Sequence, residues 1–325
     1  MRLINVDKMV LEEFFGVTIP PYAILSHCWG QGEVTFQDIG GGPNWRLKPG
    51  FTKIDHACCQ AKLDGHKYVW VDTCCIDKTS SAELSEAINS MFSWYADAIV
   101  CYVYMQDVDV LERPSADETC NQFQVSRWFS RGWTLQELVA PQEIEFYDKN
   151  WNMIGTKSKL FKILSRITKI PELILQYRSH LQSVGVAQRM SWAARRQTTR
   201  VEDIAYCLLG LFGVHMPLLY GEGGKAFIRL QEEILRVSDD QSLFAWDSAK
   251  DSPNFGVLAR SPAAFQFAGD IVPIPSMSDI HLFSMTNKGL SIRLPLLARG
   301  SEVIGLLDCR LKGDFSSIVG IPLLQ

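Results

Sequence analysis

Short apolar runs separated by stretches of helical spacing dominate the first half of the chain. Tyr22 to Ser26 and Tyr68 to Asp72 are β-rich and stop at polar residues, the pattern of buried strands, and Ala98 to Tyr104 and Glu143 to Tyr147 read as a third and a fourth strand. Between the first two, Phe51, Ile54, Ala57, Cys58 and Ala61 recur with the period of a helix, and Gly65 is a plausible stop. After the second, Ser80 with Glu83 has the form of a capping box, and Leu84, Ile88, Met91 and Tyr95 mark one helix face. A helical segment around Trp133 to Leu138 separates the third and fourth runs. Alternating strands and helices predict an α/β fold, a parallel sheet with helices on both faces.

Residues 106 to 121 are polar and acidic, with Asp107, Asp109, Glu112, Pro114, Asp117 and Glu118, and read as a mobile loop. From about Ser158 to Val237 the pattern is helical, with a second capping box at Thr199 and Glu202 and a helix end near Gly210 or Gly213. Beyond Asp239, short alternating runs broken by Gly, Pro, Asn and Ser suggest a small β-rich region. The expected division is an α/β domain over 1–155, a helical extension over 156–238 and a β-rich region over 239–325. The apolar ending SIVGIPLLQ suggests a fragment or an incomplete last domain.

Composition narrows the function. With 47% hydrophobic and 21% charged residues the chain is that of a folded protein, and a net charge of −4 gives no general basic field for nucleic acid. The first residues lack the apolar core of a signal peptide, and no charge-free apolar run reaches the roughly 18 residues of a spanning helix. Nine cysteines include the neighbours Cys58-Cys59 and Cys74-Cys75, which are poorly placed to bridge each other, so reduced thiols and a cytoplasmic setting are expected. None has the CxxC spacing of a zinc site, so no metal is expected.

In a parallel α/β sheet, ligands bind beyond the carboxyl ends of the strands. Here those ends lead into His27-Cys28-Trp29-Gly30, into Thr73-Cys74-Cys75-Ile76-Asp77-Lys78 and on to Arg131-Gly132-Trp133-Thr134-Leu135-Gln136-Glu137. A thiol nucleophile at Cys75 with His27 as base would need a contact that no sequence feature supplies. GEGGKAF, residues 221–227, lacks the first glycine of a phosphate loop and has Ala226 where Ser or Thr should stand; it reads as a turn before a helix. Arg195, Arg196 and Arg200 read as a solvated face or an interdomain contact.

The blocks YAILSHCWG, YVWVDTCCIDKTSSAELSEAINSMFSWYADA and SRWFSRGWTLQELVAP resemble, in order and separation, the three signature blocks of the fungal heterokaryon-incompatibility (HET) domain. The stretch from RMSWAARR to LQEEIL resembles the region after that domain in many fungal incompatibility proteins, so the likeness covers roughly residues 1 to 240. HET domains are in turn thought to be distant relatives of the Toll/interleukin-receptor (TIR) domain, which implies a flavodoxin-like sheet and, from some TIR members, cleavage of NAD. In that family the catalytic glutamate comes shortly after a tryptophan, in a helix, and Trp133-Thr134-Leu135-Gln136-Glu137 matches, implying Glu137 as the catalytic residue. A carboxylate with an ordinary pKa of about 4.3 would suffice to stabilise an oxocarbenium-like state. Without the likeness, Glu137 reads as a helix-surface acid or a partner of Arg131.

The substrate-binding candidates are Ser26, His27, Trp29, Asp72, Asp77, Arg131 and Trp133, for NAD or a related nucleotide as substrate and with no cofactor. Each has a bland alternative: a loop-bound histidine, helix-capping aspartates, core tryptophans. The resemblance implies a cell-death effector in self/nonself recognition that forms homo-oligomers on activation. The alternatives are a non-catalytic, self-assembling signalling module and a HET-scaffold enzyme acting on another small molecule.

Overall fold

The computed structural model describes residues 1–110, 122–247, 256–274 and 283–323. The chain forms two compact units, residues 1–178 and 179–325. Among the described residues no helix is long and apolar enough to cross a membrane. Most of the acidic insertion, residues 111–121, lies outside the described residues.

The first unit runs β1 (Arg2–Asn5), β2 (Val10–Glu13), β3 (Ala23–His27), α1 (Phe36–Gly40), α2 (Phe51–Leu63), β4 (Tyr68–Trp70), α3 (Ser81–Asp97), β5 (Val100–Tyr104), α4 (Thr134–Val139), β6 (Ile144–Tyr147), β7 (Met153–Thr156), α5 (Lys157–Thr168) and α6 (Glu172–Gln176). Its sheet has the order β2-β1-β4-β3-β5-β6-β7. The four expected runs supply the central strands β4, β3, β5 and β6, all parallel. Taken in chain order these four lie as 2-1-3-4, the start of the flavodoxin-like order.

The sheet is mixed, however, and not parallel throughout. β1 pairs antiparallel with β2 and β4, and β7 antiparallel with β6. These strands have four residues each, and β2 and β7 are only partly covered, so they tolerate acids and carry no long apolar run. The β1–β2 turn is closed by Asn5, whose Oδ1 accepts from Asp7 N and Lys8 N at 3.1 Å each.

At the start of α3, Ser80 Oγ accepts from Glu83 N at 3.3 Å. The reciprocal half of the capping box is missing, because the Glu83 carboxylate accepts from Asp77 N (2.7 Å) and pairs with Arg2. α3 and α4 pack together, α4 against β3, and α2 against β3 and β4.

The second unit contains α7 (Val186–Ala193), α8 (Asp203–Tyr206), α9 (Leu209–Phe212) and α10 (Lys225–Val237), packed on buried Met190, Trp192, Leu208, Phe227 and Leu230. The helix expected from Thr199 onward is two short ones. Its Glu202 serves a turn instead of a capping box: Oε1 accepts from Gly221 N (2.8 Å) and Gly223 N (3.0 Å). Gly221 and Gly223 have φ of 106° and 60°, which only glycine adopts freely, so GEGG is the turn that launches α10. Strands β8 (Ile271–Pro273), β9 (Ser284–Thr286), β10 (Gly289–Ser291), β11 (Leu296–Arg299), β12 (Glu302–Leu306), β13 (Cys309–Leu311) and β14 (Gly320–Leu323) form three small antiparallel sheets.

Candidate active site at the carboxyl end of the central strand

β3 is buried at every position and ends on two polar residues, Ser26 and His27. Successive side chains of a strand point to opposite faces, so these two serve different layers. Ser26 faces α4. Its hydroxyl donates to Glu137 Oε2 and accepts from Trp128 Nε1 at 2.8 Å. The Tyr95 hydroxyl, from α3, donates to the Leu25 carbonyl at 3.3 Å and is near enough to act on the Glu137 carboxyl.

Glu137 is therefore neither a surface acid nor a carboxylate of ordinary acidity. It is 7% exposed, and burial pushes its pKa up to about 8, against the pull of the Ser26 hydrogen bond and the Arg131 charge. The shift arises because the desolvation of a carboxylate inside the packed α4 layer exceeds what its neighbours return. At neutral pH the group is a carboxylic acid.

His27 faces the other layer. Its Nε2 lies 3.7 Å from Asp72 Oδ1 and 4.0 Å from Glu33 Oε2, with neither ring nitrogen hydrogen-bonded. Burial, with the Lys53 charge, pushes its pKa down to about 3, so the imidazole is neutral. Lys53, on α2, reaches Glu33 Oε1 at 2.5 Å and the Cys28 carbonyl at 3.4 Å. Burial opposes the Asp72 charge, yet the Lys78 and Lys53 charges and the Trp29 hydrogen bond help hold the carboxyl below its usual value. Trp29 Nε1 donates to Asp72 Oδ2 at 2.7 Å, and Lys78 Nζ sits 3.7 Å over the Trp29 ring.

Beside these residues opens a cleft of about 750 Å³ whose wall includes Cys28, Trp29, Tyr104, Asp107, Arg127 and Trp128. Glu33 and Lys53 line a side cavity of about 70 Å³ that shares Gly30, Gln31 and Gln106 with it. Glu137 does not line the cleft. Trp128 links the two, since it forms part of the wall and bonds the hydroxyl that bonds Glu137. The wall is further fixed by Asp107, which accepts from Ser126 Oγ and Arg127 N at 2.7 Å each.

Of the sequence candidates, Ser26, His27, Trp29, Asp72 and Glu137 thus meet at one sheet edge, on two faces. Arg131 is half-buried and near enough for its charge to act on Glu137, Cys28 and His27. Trp133 is half-buried at the N-cap of α4 and does not line the cleft. Asp77 goes elsewhere: its Oδ1 accepts from Gln37 Nε2 (2.7 Å) and Thr79 N (3.0 Å), which makes it a loop brace ahead of α3. Thiol chemistry finds no support. The Cys75 sulfur accepts from Val71 N at 3.3 Å, and burial pushes the Cys28 thiol up to about 11.

Glu33, Lys53, Lys78, Tyr95 and Trp128 were not among the candidates. Lys53 had a signal, because it stands four residues before Ala57 on the apolar face of its helix, where a cation needs a partner. Trp128 had none beyond its place in the third signature block.

Residues 22–122 match the family model "Heterokaryon incompatibility protein (HET)", and residues 225–267 match "Domain of unknown function (DUF8212)". The vegetative incompatibility protein HET-E-1 of Podospora anserina is 49% identical over 235 residues, which is 68% of this chain and 17% of that protein. The chain thus spans about a sixth of that relative's length. No solved structure matches. By the match over residues 22–122 and the 49% identity to HET-E-1, the chain belongs to the heterokaryon-incompatibility (HET) family.

Proposed function

We propose that the chain is a cytoplasmic effector of incompatibility-type cell death and that its first unit, a TIR-like domain, cleaves NAD at the site around Glu137. The observation that carries the reading is a buried carboxyl group bonded by Ser26 at the carboxyl end of the central strand and linked through Ser26 and Trp128 to a cleft of nucleotide size. Trp29 and Trp128 in the cleft wall supply aromatic surface for a base, and Arg127 a cation for phosphate.

The chemistry rests on the carboxyl group. The bond from ribose C1′ to the nicotinamide nitrogen breaks, its electron pair neutralising the pyridinium, and nicotinamide leaves uncharged. Water adds at C1′ and loses a proton, giving ADP-ribose. Only an ionised Glu137 stabilises the cationic ribose, and the buried group is neutral at pH 7. The buried arrangement is therefore a resting one. Turnover requires Glu137 to be hydrated or exposed, and clustering into homo-oligomers is the event we assign to that change.

The same burial favours a second reading, a non-catalytic module that signals by assembling. Free nicotinamide, measured after incubating NAD with the monomeric and the clustered protein, separates the two. Release that appears on clustering supports NAD cleavage, and release from neither supports the assembling module.

A further inference from the structure

The second unit holds a cavity of about 430 Å³ with a buried arginine in its wall. Arg189, on α7, is 7% exposed. One Nη1 hydrogen goes to the Leu211 carbonyl at 2.7 Å, and the guanidinium carbon sits 4.7 Å over the Phe212 ring. The Nε–H is buried without a partner. No carboxylate among the described residues pairs with this cation; Asp240 acts on it only through space.

The acids of the wall are mostly committed. Asp240 accepts from Val186 N (2.6 Å) and Ser242 N (2.9 Å), and Asp308 accepts from Gln241 Nε2 at 3.1 Å. Asp239, exposed at the rim, has no hydrogen bond or ion pair among the described residues. Phe212, Ile234, Val237 and Pro273 make the rest of the wall apolar.

A buried guanidinium with an unbonded Nε–H is costly unless something occupies it. Its planar fork matches a carboxylate, which it can hold through two parallel hydrogen bonds. Three aspartates around one arginine disfavour a dianion such as phosphate and favour a ligand that carries its own cation. The volume lies within the roughly 300–1,000 Å³ of small-molecule sites.

We propose that this cavity binds a small zwitterion of the α-amino-acid type. The carboxylate sits on Arg189, the ammonium group faces Asp239, and an apolar side chain packs on Phe212, Ile234 and Val237. The site belongs to the second unit, overlaps the 225–267 match and is independent of any chemistry at Glu137.

The test is calorimetric titration of the whole chain with L-phenylalanine, 3-phenylpropionate and phenethylamine. Saturable binding of L-phenylalanine is expected, at least tenfold weaker for the acid lacking the amine and for the amine lacking the acid. Arg189→Met should abolish binding. Asp239→Asn, at an exposed position without internal bonds, should weaken it about tenfold with an unchanged melting temperature, and this variant decides the matter if Arg189→Met does not fold. No saturable binding of L-phenylalanine, or equal affinity in the folded variants, would overturn the proposal.

Discussion

The Ser26 hydroxyl donates to the Glu137 carboxyl, joining the central strand to a helix 111 positions further along the chain. Because Trp128 Nε1 donates to the same hydroxyl, Ser26→Ala strands two buried polar groups at once. Leaving such groups unsatisfied costs about 1–3 kcal/mol each. Chemical denaturation at pH 7 should show a loss of about 2–6 kcal/mol for the two groups together, with Ser26→Thr milder than Ser26→Ala. A loss below about 0.5 kcal/mol would mean that the bond is not maintained in solution.

Glu137 makes stability depend on pH. Its folded pKa of about 8 lies above the ordinary 4.5, so between these values the folded protein binds a proton that the unfolded chain has lost. Its contribution is present below pH 4.5 and is lost as pH rises through 8, with a limiting slope of about 1.4 kcal/mol per pH unit. Glu137→Gln should flatten this slope, and unfolding midpoints of both proteins from pH 5 to 8 check it.

His27 acts in the opposite direction. Its folded pKa of about 3 lies below the ordinary 6.5, so the unfolded chain takes up the proton first as pH falls. Stability from the neutral ring is complete above pH 6.5 and is lost on acidification toward pH 3. His27→Gln should remove one proton's worth of this acid sensitivity. The check is the unfolding free energy between pH 6.5 and 4.5 for both proteins.

Buried Lys53 pairs with the partly buried Glu33, at 2.5 Å, next to the unbonded His27 ring. Removing one partner of a fully buried pair costs about 3–5 kcal/mol, and here somewhat less is expected because Glu33 is partly exposed and also accepts from Gly30 N. Lys53→Met should therefore destabilise strongly, and Lys53→Met with Glu33→Gln should recover much of the loss. Denaturation of the two variants side by side measures the difference.

How much of this was legible depended on whether the information was local. β3, β4 and β5 were readable because strands buried on both faces are near-continuous apolar runs, and β6 from its β-rich composition around Glu145. β1, β2 and β7 were not, because a four-residue strand that is partly covered looks like any mixed loop. His27 and Ser26 were visible as the residues at which the first run stops. That they face different layers is a consequence of strand alternation, but the partner on each face, Glu137 or Glu33 with Lys53, is set by tertiary packing. The raised pKa of Glu137 was not legible for the same reason. Four of the six residues of α4 are apolar or small enough to leave its burial open, and only the packed layer shows all six buried.

NAD cleavage through Glu137 is tested most directly by nicotinamide release from NAD by wild type and Glu137→Gln at matched concentration and oligomeric state. Gln keeps the size and reach of the side chain and resembles the protonated group that the resting fold already holds, so the melting temperature at pH 7 should not fall. Clustered wild type should release nicotinamide, and the variant should lose about 10²–10³ in rate, the scale for removing one electrostatic stabiliser. Equal rates in the two proteins would contradict a catalytic Glu137.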